Sequence, residues 1–376
     1  MNITRLRNSA EYRAFKYINE KRGWKTDRKI VVIESDDWGS IRMPNRDVYE
    51  KCLKQGFRVD QSHYNKYDSL ASKQDFEHLF SILSQHKDKN NNSPVITANT
   101  LVANPDFKRI EDNNFSKYYY ERFTDTINRY DDCSLAAWNE GIDNELFFPQ
   151  LHGREHLNIT RWMEYLQSKS KEIAFAFDNN LIGLGPSITN NKLPSFVQAF
   201  DQKHYLADHS IEKILKDAVS IFEDVFGYQS KSFIAPNYIW NKRVEEVLAN
   251  VNVKYLQGGM VQKINSKKNI YHYLGEENSF GQLYLTRNVI YEPSSDLKKD
   301  WNSLALKQIK RAFQLNKPAI ICMHRVNFIG SIFEVNRVNN LKLFNELLSQ
   351  IVQIWPQIEF MNSAQLGDLI ASDADL

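Results

Sequence analysis

The chain has only three cysteines, Cys52, Cys133 and Cys322, which are far apart and in no Cys-x-x-Cys pattern. That spacing leaves free thiols in a reducing compartment as the expectation. Charge excess is also missing: 48 basic against 46 acidic side chains leave a net +2, so no global field recruits nucleic acid or an anionic membrane. No apolar run approaches bilayer length, and the opening MNITRLRNSAEYRAFKYINEKRGWK holds no apolar stretch of a secretion signal. A cytoplasmic protein without a membrane span is expected. Nor is there an internal repeat or a Pro- or Gly-rich linker in the 376 residues. One elaborated domain over 29–376, behind an N-terminal helical extension over 1–28, is the simplest division.

What is present is a series of short β-branched runs. They are KIVVIES at 29–35, PVITANTLV at 94–102, LFFPQL at 146–151, SFIAP at 232–236, KYLQGG at 254–259, PAIICM at 318–323 and IEFM at 358–361. Most are continuous rather than alternating, as in parallel strands covered on both faces. Helical spacing lies between them, as in Phe76, Leu79, Phe80 and Leu83, in Ile211, Leu215, Val219 and Phe222, and in Leu341, Phe344 and Leu348. Asn241, Asn362 and Ser363 are candidate helix caps. Repeated strand then helix means an α/β fold, as an open sheet or a barrel. The connections 41–72, 103–145 and 177–208 are long enough to carry structure or function of their own, and 260–300 has room for an extra hairpin. Aromatic residues make up 12%, which suits a large core or a sugar-binding cleft.

Four segments hold candidate chemistry. Asp36 and Asp37 follow the first apolar run in IESDDWGS, where a parallel α/β fold gathers catalytic groups. Two adjacent carboxylates at a buried strand end require a cation or a proton to resolve their repulsion. His152 and His156 follow the run LFFPQL; with nine histidines, such a pair at this spacing arises by chance only about 0.2 times. On a helical turn the two would share a face and could meet one metal ion. His324 directly follows AIICM, and Asn237 follows Pro236 in SFIAPNYIW.

In this order the segments resemble the polysaccharide deacetylase family, the NodB-homology or carbohydrate esterase family four domain, over roughly 30–325. The resemblance implies a distorted (β/α) barrel with long loop insertions. It also implies a divalent metal, zinc first with cobalt, nickel or manganese as alternatives, held by Asp37, His152 and His156. Asp36 is then the catalytic base and His324 the acid, and a metal-bound water attacks the acetyl carbonyl of an N-acetylated sugar or saccharide. The alternative is a catalytically silent deacetylase-like domain that binds a saccharide or a partner protein.

The pattern departs from the family at three points. Trp38 replaces the Gly after the aspartates, which makes it a candidate substrate or orienting residue, as Asn237 is. Ile234 stands where the base-orienting Arg belongs, with Arg287, Arg325 and Arg154 as possible replacements and Arg287 preferred. The acidic-Trp motif before the last histidine is matched only by Asp300-Trp301.

Overall fold

The computed structural model describes residues 14, 16–18, 20–130, 134–168, 170–201, 208–264 and 269–374. The expected N-terminal helix falls largely on residues 1–13, and Cys133 on 131–133, both outside the described residues. Residues 14 and 16–18 are helical, and 20–28 are not.

The strands, in chain order, are β1 (Lys29–Trp38), β2 (Ile96–Leu101), β3 (Ala103–Pro105), β4 (Tyr120–Arg122), β5 (Phe147–Gly153), β6 (Ser232–Ile234), β7 (Tyr255–Gly258), β8 (Val261–Lys263), β9 (Asn269–Tyr271), β10 (Leu283–Thr286), β11 (Val289–Ile290), β12 (Ala319–His324) and β13 (Ile358–Met361). Nine of them form one sheet in the order β10-β7-β6-β5-β2-β1-β12-β11, with β13 also on β1. Every pairing in it is parallel. All seven expected runs are strands of this sheet, because helices on one side and the curled interior on the other bury both faces. The expected hairpin in 260–300 is β8 with β9. Strands β10 and β11 were not anticipated: they are four and two residues long, below the length at which a run stands out.

Those two short strands close the sheet. They lie at its opposite edges, yet only Arg287 and Asn288 separate them in the chain. The stretch from Leu283 to Ile290 therefore pairs first with β7 and then with β12. The sheet must curl until its edges meet, giving a distorted barrel with a seam at Arg287. Strand β1 is distorted as well. Val31 and Val32 pair with both β12 and β13, so β13 takes the start of the edge that β2 occupies from Ile33 onward.

The long connections carry short helices such as Arg46–Lys54, His63–Tyr67, Phe123–Tyr130 and Ser134–Asp143. Met43, Tyr49, Val59, Trp162, Phe177, Phe196 and Ile332 form a second apolar cluster, apart from the main core. Its members follow β1, β5 and β12, so this layer sits beyond the C-terminal ends of the strands. Asn241 and Asn362 cap their helices as expected, each accepting from a backbone N–H three residues on. The chain has only 14 glycines, and asparagine takes eight of the twelve non-glycine positive-φ positions among the described residues, because its short polar side chain tolerates that conformation.

Trp38 belongs to the main core, which corrects its reading as a substrate contact. It is 1% exposed, its ring lies 4.7 Å from that of Phe147 and 5.4 Å from that of Phe76, and its indole N–H donates to Ser35 Oγ. Large aromatic residues are favourable here because the strand end is covered by helix Lys73–Leu83 rather than by solvent. Trp38→Ala should lower unfolding free energy by about 3–5 kcal/mol in a denaturant titration. A loss below about 1 kcal/mol would place the ring outside the packed core.

Candidate active site

Successive side chains of a regular strand point to opposite faces, so Asp36 and Asp37 would be separated by the sheet. The β1–β2 register prevents this. Ser35 pairs with Ala98 and Trp38 with Thr100, which leaves both aspartates opposite the single residue Asn99, a bulge. Asp37 has φ 73°, in the left-handed region that aspartate tolerates better than most residues. Each aspartate is 4% exposed, and each meets a different set of partners.

Asp37 faces two imidazoles. Its Oδ1 lies 3.3 Å from His152 Nε2 and 3.6 Å from His156 Nε2. His152 is the penultimate residue of β5, and its Nδ1 donates to the Ile234 carbonyl at 2.8 Å. A carbonyl only accepts, so Nδ1 carries a proton and Nε2 is the ring atom turned to the carboxylate. His156 does not sit on a helical turn, contrary to the i, i+4 argument: the chain bends at Gly153 (φ 115°), and His156 precedes helix Ile159–Gln167. The bend, not helical periodicity, brings the rings together. Burial pushes His156 down to about 3, so this ring is neutral near pH 7. Two imidazole nitrogens and a carboxylate oxygen, all within 4.8 Å of one another, form a donor set that suits a divalent cation. The residues present therefore fit a metal.

Asp36 faces the seam. Arg287 grips it with two parallel hydrogen bonds, Nη1 to Oδ2 and Nη2 to Oδ1, both 2.6 Å. The Arg287 Nε donates to Glu34, whose other oxygen accepts from Ser363 Oγ at 2.6 Å. Asn99 Nδ2 donates to Asp36 Oδ1 at 2.8 Å and also to Gln257. From Gln257 the network continues to Ser232 and Gln150, a polar thread through the barrel that satisfies groups no water reaches. Burial raises the Asp36 carboxyl, but the Arg287 charge and hydrogen bonds, helped by His324 and His152, outweigh it and hold the group at about 2. Asp36 is ionised at neutral pH.

His324 ends β12 directly beside Asp36 in the ladder, with Nε2 3.8 Å from Asp36 Oδ2. Its Nδ1 bonds to the Glu292 carboxylate, which is itself held by Asn327 Nδ2. Burial would lower the imidazole, but Glu292, then Asp36 and Asp37, raise it to about 10. The ring carries its second proton at pH 7. Tyr64 Oη lies 3.2 Å from the ring nitrogens.

Asp36, Asp37, His152, His156, His324 and Arg287 thus converge at the C-terminal ends of β1, β5 and β12. Asn237 does not join them: it is exposed in the turn Pro236–Tyr238 and makes no hydrogen bond to these groups among the described residues. Ile234 contributes only its carbonyl. Arg154 pairs with Glu155 and Asp217, and Arg325 with Asp68, so neither serves the base. Asp300 caps helix Trp301–Gln314 instead of pairing with histidine. Glu292, which was not singled out, takes that partner's place. Its signal was present, since it follows the apolar run VIY at 289–291 as Asp36 follows the run KIVVIES at 29–35. Arg42, 3.4 Å from Asp37 Oδ2, and Tyr64 arrive from the 41–72 connection and had no such signal.

No protein-family model matches the sequence, and no curated protein does. Among solved structures the chain is similar in course to one from Mycobacterium smegmatis, named provisionally as a polysaccharide deacetylase (10% identity, 94% of each chain, TM-score 0.45). It is similar to a pseudoenzyme of the CE4 family from Bacillus anthracis (9% identity, 90% of this chain and 65% of that one, TM-score 0.39). A 4-alpha-glucanotransferase from Thermococcus litoralis is matched over 90% of this chain and 40% of its own (9% identity, TM-score 0.43). These likenesses concern chain course, and the chemistry rests on the side chains described above.

His324 offers a test of the charge assignment. Its pKa is raised from 6.5 to about 10 in the fold, so its contribution to stability is complete below pH 6.5 and lost as pH rises through 10. The unfolding free-energy difference between wild type and His324→Gln should shrink over that interval, by roughly 1–3 kcal/mol. A difference constant with pH would mean that the ring is neutral.

Proposed function

We propose that the protein is a divalent-metal-dependent hydrolase that removes acetyl groups from an N-acetylated sugar or saccharide. The observation that carries this reading is the placing of an ionised carboxylate, Asp36, and a protonated imidazole, His324, beside the cluster of Asp37, His152 and His156. A cation held by those three, zinc by donor type with cobalt, nickel or manganese as alternatives, would polarise an acyl oxygen and lower the pKa of water from about 15.7 toward 7.

Asp36 receives the proton of the attacking water, and Arg287 holds its two oxygens in one orientation throughout. A carboxylate near 2 is a weak base toward ordinary water, so the reading requires acidified water. His324 carries the proton that the departing amine needs, and Glu292 keeps that proton on the ring until then. Tyr64, against His324, stands where it can exclude water from the acid. A silent binder would have no use for this division of labour. Burying Asp36, Glu34 and Arg287 together costs desolvation that a saccharide-binding surface need not meet.

Purified wild type should contain one equivalent of divalent metal by elemental analysis, and Asp37→Ala, His152→Ala or His156→Ala should contain none. Metal retained at the wild-type level in those variants would remove them from the ligand set. Asp36→Asn should keep the metal and lose at least about 10²-fold in acetate release from a panel of N-acetylated sugars. Arg287→Lys keeps the charge but not the two-pronged grip, so it should lose about 10-fold or more in kcat with metal content unchanged. Wild-type turnover in Asp36→Asn would take the base away from this residue.

A further inference from the structure

The barrel seam also borders a cavity that the proposed reaction does not use. A crevice of about 410 Å³ lies along it, with the buried Arg287 and the partly buried Tyr238 and Cys322 in its lining. One wall is helix Trp301–Gln314, and the other is built from residues around 259–274 and from Lys16, Glu20 and Arg22.

Its charge is one-sided. Lys16, Arg22, Lys307, Arg311 and Lys317 line it, with Glu20 as the acidic side chain among the lining residues. Glu20 is already shared, 3.6 Å from Lys16 and 3.5 Å from Arg311. Arg287 is neutralised from the barrel side by Asp36 and Glu34. Arg22, Lys307 and Lys317 have no acidic partner among the described residues. Lys317 is the telling one: it is 5% exposed, and its ammonium donates to the Arg22 and Trp24 carbonyls. An ammonium has three donors, so one is left over on a side chain that lines the cavity. Burial lowers this group to about 8, which still leaves it charged at neutral pH. A buried cation without a counter-ion is costly unless an anion completes it.

The rest of the lining includes Ile290, Leu304, Ala312 and Leu315, so the complementary molecule has an anionic end and an apolar or aromatic body. We propose that the seam crevice binds an organic phosphate or diphosphate, the phosphate on Lys317, Lys307 and Arg311 and the body along the helix wall toward Tyr238. This assignment stands without the hydrolase reading. A ligand there would touch the outer side of Arg287, the group that holds Asp36.

The test is calorimetric titration of the full chain at low salt with inorganic pyrophosphate, adenosine diphosphate and geranyl diphosphate. Chelator-treated protein is used, so that no phosphate is drawn to a metal at the candidate centre. Saturable one-to-one binding of an organic diphosphate is expected, at least tenfold tighter than pyrophosphate, and whichever of the two binds more tightly identifies a nucleotide or a lipid source. Lys307→Glu and Arg311→Glu, both at exposed positions, should each weaken it tenfold or more, while Lys51→Glu on helix Arg46–Lys54 should leave it unchanged. Absence of saturable binding, or equal affinity in the two charge-reversed variants, would overturn the site. Pyrophosphate binding as tightly as both organic ligands would overturn the role given to the apolar wall.

Discussion

The guanidinium of Arg287 is the group on which the site and the closure of the barrel both depend. It sits at the two-residue junction where one extended stretch leaves β7 and joins β12, so its position is set by the meeting of the sheet's edges. From there it faces two buried carboxylates, Asp36 and Glu34. Three charges in a dry interior are tolerable only as a hydrogen-bonded group, and removal of the cation would leave two carboxylates uncompensated. The polar thread through Asn99, Gln257 and Ser232 and the anchor at Ser363 follow from that need, because each satisfies an oxygen or nitrogen that the ion pairs leave over.

Electrostatics then separates groups of like kind. Asp36 and Asp37 are neighbours in the chain, yet the bulge opposite Asn99 sends one to an arginine and the other to two imidazoles. His156 is held neutral by burial, while His324, partly buried, is held cationic by Glu292. Two ionised carboxylates thus acquire different partners, and two histidines different charge states, from their surroundings alone. The barrel supplies the strand ends that place them, and the apolar layer beyond those ends shields them from water, which strengthens every one of these interactions.

Much of this was legible in the residues. Continuous apolar runs marked seven parallel strands, since burial on both faces removes the alternation that an exposed strand shows. Polar residues at the ends of those runs marked Asp36, Asp37, His152, His156 and His324, since parallel α/β folds expose function there. Arg287 stands out among the three arginines because RNVIYEP mixes polar and apolar residues unusually for a surface hairpin, and the seam explains that mixture: the segment is a strand on both sides of a residue that points inward. Glu292 was open to the same reasoning as Asp36 but follows a strand of only two residues, too short to be recognised.

Sequence by itself determined the α/β class, the strand runs and the chemical types gathered at their ends, because burial and periodicity are local properties of the chain. Only the tertiary structure decided which arginine serves Asp36, which carboxylate charges His324, that Trp38 is core and that His156 reaches His152 through a bend. Each of those depends on a contact between residues distant in the chain or on a positive φ at one position. Arg287 and Asp36 are 251 residues apart, and no pattern within either segment encodes their meeting.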